Sequence, residues 1–389
     1  MPSRRVFRAL LASLGSLLLL DVGISLAAIR DGLFLGRPLP PFGATPHPHQ
    51  RAWVASERAR TEADPPPEGT GAFDAALGWT LRPGSRATGE TIDALGARGP
   101  REYPRRKPEG TLRLLCYGDS FTFGAEVSDA EAWPALIEAA RPGLEAINFG
   151  VGGYGTDQAL LRFRRQGADL GADAVLIGFL LENVGRNVNR YRPLYYPATG
   201  VPGAKPRFRL LGEDLVLLPQ PFPTREALAR AVEDGSVLSL LAEGEHWSRA
   251  NLPGPLRFSS LARLAAAYRA YSARQSRRLL LDEAGEPFRV TVALLETFHR
   301  EALACGAREA PILVFPREEE MEALVGRDDL YWKGLLEALA TRSIPFLDLS
   351  EPLAPAFRAA REDPDAPAVY RAGHLSPLGN RIAADAVLD

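Results

Sequence analysis

At 389 residues, the chain is long enough for one large domain with additions or for two domains. Its composition is 46% hydrophobic and 24% charged, which excludes both a disordered chain and a polytopic membrane protein. The 46 basic and 48 acidic side chains give a net charge of -2, so the bulk charge does not favour a nucleic-acid partner. Two cysteines exclude a disulfide framework, and they show no zinc-type spacing. We therefore expect no nucleic-acid partner, no metal and no cofactor.

The first 29 residues have the pattern of a targeting segment. Arg4, Arg5 and Arg8 precede an apolar stretch over residues 9–29, which is typical of a signal peptide or a signal anchor. The stretch is about as long as the roughly 20 residues that a bilayer requires. This length favours an uncleaved anchor in the cell membrane, with the arginines cytoplasmic and the remaining chain extracytoplasmic.

Two features of the same segment favour the alternative, a secreted or periplasmic protein released by cleavage. Ser25 and Ala27 are small residues of the kind found at cleavage sites. Asp21 interrupts the apolar stretch, and a carboxyl group inside a bilayer is costly unless it has a partner.

Residues 30–108 are predicted to form a tether followed by an ordered lead-in. Residues 37–71 are rich in Pro, Gly and charge and predict an extended segment, in which His47 and His49 are expected to be solvated rather than metal ligands. Residues 73–107 predict turns and short strands, with Trp79 packed onto the main domain.

After residue 109, apolar runs alternate with helical patterns, which predicts a parallel sheet covered by helices. The strands are predicted at residues 112–118, 145–150, 173–179, 311–316 and 345–350. The helices are predicted at residues 130–140, 156–167, 291–305, 329–340, 352–361 and 377–388. The expected fold is a flavodoxin-like, doubly wound α/β/α sandwich with a five-stranded parallel sheet.

The long connection between the third and fourth strands predicts an insertion or lid over residues 191–287. It includes helical patterns near residues 225–241 and 261–280, and a structureless loop of this length inside a compact domain is improbable. The core is thereby divided into a first half, residues 109–190, and a second half, residues 288–389.

Polar residues follow the predicted strands where sites of open α/β folds form. Ser120 follows the first strand in Gly-Asp-Ser, and Gly153 lies in a glycine-rich segment after the second. Asn183 follows the third strand, and His374 precedes the last helix in Gly-His-Leu-Ser-Pro-Leu-Gly-Asn. A serine hydroxyl needs a base to be nucleophilic at neutral pH, and imidazole suits that task.

These four segments, in this order, resemble the motif blocks of the SGNH/GDSL hydrolases over about half of the chain. The resemblance implies that Ser120 is the nucleophile and His374 its base. It also implies an oxyanion hole formed by the Ser120 N–H, the Gly153 N–H and the Asn183 side chain. Asp119 is expected to be a structural turn residue.

The chain departs from this family at two positions. The family usually places an aspartate three residues before the histidine, where this sequence has Arg371. Asp363 and Asp365, in the preceding loop, are candidates for the acid that orients the imidazole, and a backbone carbonyl is the alternative. The family asparagine is usually followed by aspartate, where this chain has Val184.

The sequence thus predicts an exported or membrane-anchored bacterial serine esterase or acyl hydrolase of SGNH type. Its expected substrate is a carbohydrate or lipid ester. The expected reaction places the acyl group on Ser120 and needs no metal. Two alternatives stay open, an O-acyltransferase acting on a glycan and a catalytically inactive SGNH scaffold that binds a partner. The motifs do not distinguish them, and the oligomeric state is not predicted.

Overall fold

A computed structural model describes residues 4–40, 42, 46–59, 69–250 and 258–389. The chain divides into two compact units. The sheet unit comprises residues 65–188, 205–220 and 275–389, and the helical unit comprises residues 1–64, 189–204 and 221–274. Each unit is therefore assembled from segments that are far apart in the sequence.

The elements are numbered in chain order. The described strands are β1 (Ile29–Arg30), β2 (Leu33–Phe34), β3 (Arg37–Pro38), β4 (Gly71–Asp74), β5 (Gly78–Leu81), β6 (Arg86–Ala87), β7 (Glu90–Thr91), β8 (Leu112–Tyr117), β9 (Leu144–Asn148), β10 (Ala174–Leu180), β11 (Arg207–Leu211), β12 (Asp214–Leu218), β13 (Ile312–Phe315), β14 (Phe346–Asp348), β15 (Tyr370–Arg371) and β16 (His374–Leu375). The described α-helices are α1 (Arg4–Ala28), α2 (Pro48–Ala59), α3 (Ser120–Phe123), α4 (Trp133–Ala140), α5 (Thr156–Gln166), α6 (Asn183–Arg186), α7 (Arg192–Tyr195), α8 (Arg225–Asp234), α9 (Val237–Leu240), α10 (Ser260–Ala273), α11 (Ser276–Leu281), α12 (Glu286–Ala304), α13 (Glu318–Arg327), α14 (Lys333–Thr341), α15 (Ser350–Glu362) and α16 (Pro377–Leu388).

The centre of the sheet unit is a five-stranded parallel sheet in the order β14-β13-β10-β8-β9. Numbered along the chain, these strands lie in the flavodoxin-type order 2-1-3-4-5, and the winding direction reverses between β8 and β10. The predicted fold and all five predicted strands are confirmed, with boundaries shifted by one or two residues.

Helices cover the sheet in two groups. Helices α4, α13, α15 and α16 contact one another in one group, and α5, α12 and α14 form the other. Adjacent residues of β8 face the two layers, since Cys116 packs in the core with α4 and α16 while Tyr117 contacts Phe149, Phe163 and Phe298. Both faces of the sheet are therefore buried, as the apolar runs predict.

The predicted insertion lies between β10 and β13, which are neighbours in the sheet. Part of it, the antiparallel hairpin β11-β12, belongs to the sheet unit, whereas α8, α9 and α10 belong to the helical unit. The helix predicted over residues 225–241 is interrupted at Gly235, which adopts a φ of 77° and ends α8.

The prediction of an extended tether is wrong for residues 48–59, which form α2. Val54 is buried on this helix, together with Gln50 and Glu57, so tertiary packing overrides the polar composition. His47 is also buried rather than solvated, with its Nε2 3.1 Å from the Thr199 carbonyl oxygen, whereas His49 is exposed. Residues 60–68 of the predicted tether lie outside the described residues.

The targeting segment forms α1, which is long and apolar enough over Leu11–Ala28 to cross a membrane, and this window is not buried. The carboxylate of Asp21 accepts hydrogen bonds from the Ser259 hydroxyl at 3.0 Å and the Leu261 N–H at 2.7 Å. Asp21 thus has polar partners at the start of α10, within the helical unit. The side chains of Arg4 and Arg5 lie outside the described residues.

The buried Arg113–Glu145 pair joins β8 to β9 and gives a test of the sheet unit. Arg113 donates to the Glu145 carboxylate at 2.7 Å and to the carbonyls of Pro104, Arg105 and Leu170 at 2.8–2.9 Å. Replacing Arg113 with Met leaves a buried carboxylate short of a cation, so we expect a loss of about 3–5 kcal/mol in unfolding free energy. Urea denaturation of purified protein measures this loss.

Arg101 provides the control for this experiment. Its side chain is 49% exposed and also pairs with Glu145, at 3.2 Å, so Arg101→Ala should cost less than about 1 kcal/mol. Equal losses in the two variants would contradict a special role for the buried pair.

Candidate active site

Ser120 lies at the carboxyl end of β8, where the chain turns into α3. The Asp119 side chain accepts a hydrogen bond from the Phe121 N–H at 2.9 Å and so caps this short helix. A Cβ at Gly118 would come within 2.1 Å of the Thr122 hydroxyl oxygen and 2.9 Å of the Gly178 carbonyl oxygen. Glycine is therefore required there for the turn to pack against β10, and the packing fixes the position of Ser120.

His374 lies on a β-hairpin formed by β15 and β16, whose turn has two residues. Its turn residues, Ala372 and Gly373, both have positive φ, as the tightest hairpin turns require. The His374 Nε2 lies 3.0 Å from the Ser120 Oγ, and the imidazole packs 5.5 Å from the Phe121 ring, measured between centroids. The structure therefore brings together the predicted nucleophile and the predicted base.

The other imidazole nitrogen of His374 has no carboxylate partner among the described residues. The Nδ1 atom is buried and makes no hydrogen bond to any described residue. Asp363 and Asp365, the predicted candidates for the orienting acid, are both exposed, and Asp363 instead accepts from the Asp365 N–H at 2.9 Å. Neither the acid nor the alternative backbone carbonyl is found in this part of the structure, so that expectation is wrong.

The hairpin geometry shows which residue lies beside the His374 imidazole. Arg371 pairs directly with His374 across the two strands, and side chains of a cross-strand pair lie on the same face. An aspartate at this position would be a neighbour of the imidazole. In this chain the position holds a cation. Hydrogen bonds from Ser128 lower the pKa of Glu131, and the charge of Arg371 adds a smaller effect in the same direction.

The two predicted oxyanion residues occupy the ends of the neighbouring strands. Gly153 follows β9 with a φ of 77°, in a loop that is tied to the serine turn by the hydrogen bond from the Val151 N–H to the Gly118 carbonyl at 3.1 Å. Asn183 follows β10 at the start of α6 and is 1% exposed. The carboxyl ends of β8, β9 and β10 thus supply Ser120, Gly153 and Asn183 to one edge of the sheet.

Arg186 connects the three loops that form this edge. It donates to the Glu182 carboxylate at 3.0 and 3.3 Å, to the Tyr154 carbonyl at 3.2 Å and to the Asp119 carboxylate at 3.4 Å. Burial raises the pKa of Asp119, while the Arg186 charge and a hydrogen bond from the Asn183 side chain favour the ionised form. Arg186 is therefore engaged in ion pairs with Asp119 and Glu182.

Trp79 of the lead-in also holds the loop that contains Gly153. The Trp79 indole donates to the Gly152 carbonyl at 3.0 Å, and the Tyr154 hydroxyl donates to the Trp79 carbonyl at 2.7 Å. The predicted packing of Trp79 onto the main domain is confirmed. Neither this contact nor the Arg186 network could be assigned from the sequence motifs, because both join segments far apart in the chain.

No family model and no curated protein matches the chain. Solved structures similar to it include a member of the lipolytic protein G-D-S-L family from Veillonella parvula, with 12% identity and a TM-score of 0.33 over 72% of this chain and 97% of that one. They also include an acetylxylan esterase from Geobacillus stearothermophilus, with 14% identity and a TM-score of 0.36 over 72% and 95% of the two chains. A further one is an α/β hydrolase from the metagenome of Lake Arreo, Spain, with 13% identity and a TM-score of 0.37 over 71% and 93%. At these values the likeness gives no argument about activity, which depends on the residues of the site.

Proposed function

We propose that this protein is a serine esterase or acyl hydrolase of SGNH type that acts on carbohydrate or lipid esters. The observation that supports it most directly is the 3.0 Å contact between the Ser120 Oγ and the His374 Nε2. Two residues separated by 254 positions meet in the geometry that a nucleophile and its base require. Gly153 and Asn183, at the same sheet edge, support the proposal.

In the proposed reaction, His374 Nε2 accepts the Ser120 proton while the Ser120 Oγ attacks the ester carbonyl carbon. The N–H groups of Ser120 and Gly153 and the Asn183 amide donate to the oxygen that becomes negative. As the intermediate collapses, His374 gives its proton to the departing alcohol, which leaves an acyl group on Ser120. Water, deprotonated by His374, then attacks the acyl carbon, and Ser120 recovers its proton as the acid departs.

A second candidate function is favoured by the Nδ1 of His374, which has no hydrogen-bond partner in the part of the chain that the structure describes. A base without an orienting acid is less effective, since nothing holds the proton on the correct ring nitrogen. This observation is compatible with an SGNH scaffold that binds a glycan or partner protein and has little or no hydrolase activity.

Labelling with a fluorophosphonate distinguishes the two candidates, because the reagent reacts with activated serines. We expect full-length wild-type protein to be labelled and both Ser120→Ala and His374→Ala to lose the label. Ser128→Ala, which alters an exposed serine of the same unit, serves as the control and should be labelled like wild type. A folded wild type that is not labelled would contradict the esterase proposal and favour the scaffold.

Restoring the missing acid provides a gain-of-function test. An aspartate at position 371 should lie beside the imidazole, orient it and stabilise its protonated form during the reaction. We expect Arg371→Asp to raise kcat for p-nitrophenyl acetate hydrolysis by about 10-fold or more, since loss of the equivalent acid from a complete triad costs about 10⁴-fold.

Arg371→Asn is the control, because it removes the cation without adding a carboxylate. An equal increase in kcat for the Asn and Asp variants would show that the arginine inhibits by its charge alone. An unchanged or lower kcat in a folded Asp variant would contradict the assignment of position 371.

We also propose that α1 is an uncleaved membrane anchor, with the sheet unit outside the cytoplasm. The hydrogen bonds of Asp21 to Ser259 and Leu261 support this proposal, because they give the carboxyl group in the apolar helix the partners that it needs. Cleavage near Ser25 and Ala27 would remove Asp21 and leave the start of α10 without them.

Mass spectrometry and membrane extraction test the anchor. Protein expressed with its complete sequence should retain residues 9–29 and stay in the membrane pellet after alkaline carbonate treatment. A soluble periplasmic species that starts close to residue 28 would contradict the anchor and establish a cleaved signal peptide.

A further inference from the structure

The helical unit contains a cavity of about 360 Å³ close in sequence to the end of α1. Its volume lies within the range of small-molecule sites. Its polar and charged lining consists of Asp31, His47, Gln50, Arg51 and Arg263, and Pro38, Leu39, Phe42 and Pro197 supply apolar surface. All of these residues belong to one unit and none is part of the proposed active site.

The two arginines of the cavity differ in their charge partners. Arg51 forms an ion pair with Asp31 at 2.9 Å and also donates to the Pro46 carbonyl. Arg263, on α10, donates from Nε to the Pro40 carbonyl at 2.7 Å but has no carboxylate partner among the described residues. Partial burial accordingly lowers its pKa with no acidic group to oppose the effect. Arg263 thus gives the cavity an excess positive charge.

His47 contributes an unused hydrogen-bonding atom. It is 6% exposed, and its Nε2 lies 3.1 Å from the Thr199 carbonyl, which also accepts from the Gln50 amide. Because a carbonyl accepts hydrogen bonds, the proton of the neutral ring belongs on Nε2, and Nδ1 is left as an acceptor. Nδ1 is buried without a partner among the residues that the structure describes. A buried hydrogen-bonding atom without a partner costs folding free energy unless a bound group supplies the partner.

We infer that this cavity binds a phosphate ester whose alcohol part carries a hydroxyl or ammonium donor, as the head groups of glycerophospholipids do. The guanidinium of Arg263 would hold the phosphate by paired hydrogen bonds. The hydroxyl or ammonium group would donate to the Nδ1 of His47.

The position of the cavity favours a lipid as the source of this group. Asp31 and Gly32, which line it, follow Ala28, the last residue of α1, by only three and four positions. If α1 spans the bilayer, these residues lie at head-group depth, where phosphates are concentrated. This step rests on the proposed anchor, whereas the charge and hydrogen-bonding arguments do not.

Isothermal titration calorimetry on the full chain in dodecyl maltoside micelles tests the inference. The probes are dihexanoyl phosphatidylglycerol, dihexanoyl phosphatidylcholine and glycerol 1-phosphate. We expect phosphatidylglycerol to bind at least 10-fold more tightly than phosphatidylcholine, whose quaternary ammonium has no donor. Binding of glycerol 1-phosphate as tight as that of the lipid would identify a free phosphate ester as the ligand, and weaker binding would identify the lipid.

Variants identify the residues involved. Arg263→Ala should weaken phosphatidylglycerol binding at least 10-fold, and Arg263→Lys should weaken it less. His47→Phe should reduce the preference over phosphatidylcholine. Arg269→Ala, an exposed arginine on the same helix, is the matched control and should bind like wild type.

Three results would overturn the inference. These are a wild type that binds neither phosphatidylglycerol nor glycerol 1-phosphate, an Arg263→Ala variant with unchanged affinity, or equal affinity for the two lipids. Fluorophosphonate labelling of the same samples reports on Ser120 independently. Failure of the esterase proposal is therefore distinguishable from failure of this one.

Discussion

The hydrogen bond between Ser120 and His374 joins residues that are 254 positions apart. It requires the serine turn and the β15-β16 hairpin to be held in fixed positions relative to each other. The Trp133 indole donates to the Phe121 carbonyl at 3.1 Å, and the Trp133 N–H donates to the Asn380 side chain at 3.1 Å. Asn380 in turn donates to the carbonyls that follow His374, and the Phe121 ring packs on the imidazole. The serine turn, α4 and the last helix therefore form one closed circuit of contacts. Because Phe121, Trp133 and Asn380 are buried, displacement of one of them moves the base relative to the nucleophile.

The proposed oxyanion side of the site depends on a different kind of contact, a group of charges in which Asp119 is buried and Arg186 and Glu182 are partly buried. Asp119 caps the serine turn and meets Arg186, which also binds Glu182 and the carbonyl of Tyr154. Removing one charge from such a group leaves the others without compensation, so the group is expected to be rigid. The rigidity matters because oxyanion donors act only when they already point to where charge develops. In the proposed reaction, Arg186 is thus a positioning residue, which acts through the loops of Ser120, Gly153 and Asn183.

The sequence was sufficient for the parts of the molecule that local patterns determine. Apolar runs of six or seven residues predicted the five strands, and the resemblance of four motif segments to the SGNH/GDSL hydrolases implied that Ser120 and His374 meet. It failed where distant segments decide the outcome. Residues 48–59 have a tether-like composition, yet they form a helix because Val54 is buried by tertiary contacts. The partners of Asp21 lie more than 230 positions away. The exposed positions of Asp363 and Asp365 follow from how the loop folds, which their spacing from His374 does not reveal.

In the proposed reaction, the main limit is the Nδ1 of His374, which is buried without a hydrogen-bond partner among the described residues. Two neutral tautomers exist, and only the one with its proton on Nδ1 leaves Nε2 free to accept from Ser120. No described residue favours that tautomer by a hydrogen bond to Nδ1. A carboxylate would favour it by about 1.5–3 kcal/mol, the range for hydrogen bonds to charged groups, which corresponds to roughly 10- to 150-fold in tautomer population. A carboxylate would also stabilise the imidazolium that forms when Ser120 attacks, so the cost of its absence exceeds the tautomer effect alone. In the proposed reaction, the nucleophile and base therefore have the required geometry, but the base lacks electrostatic support, and the rate would depend on how far the oxyanion donors compensate.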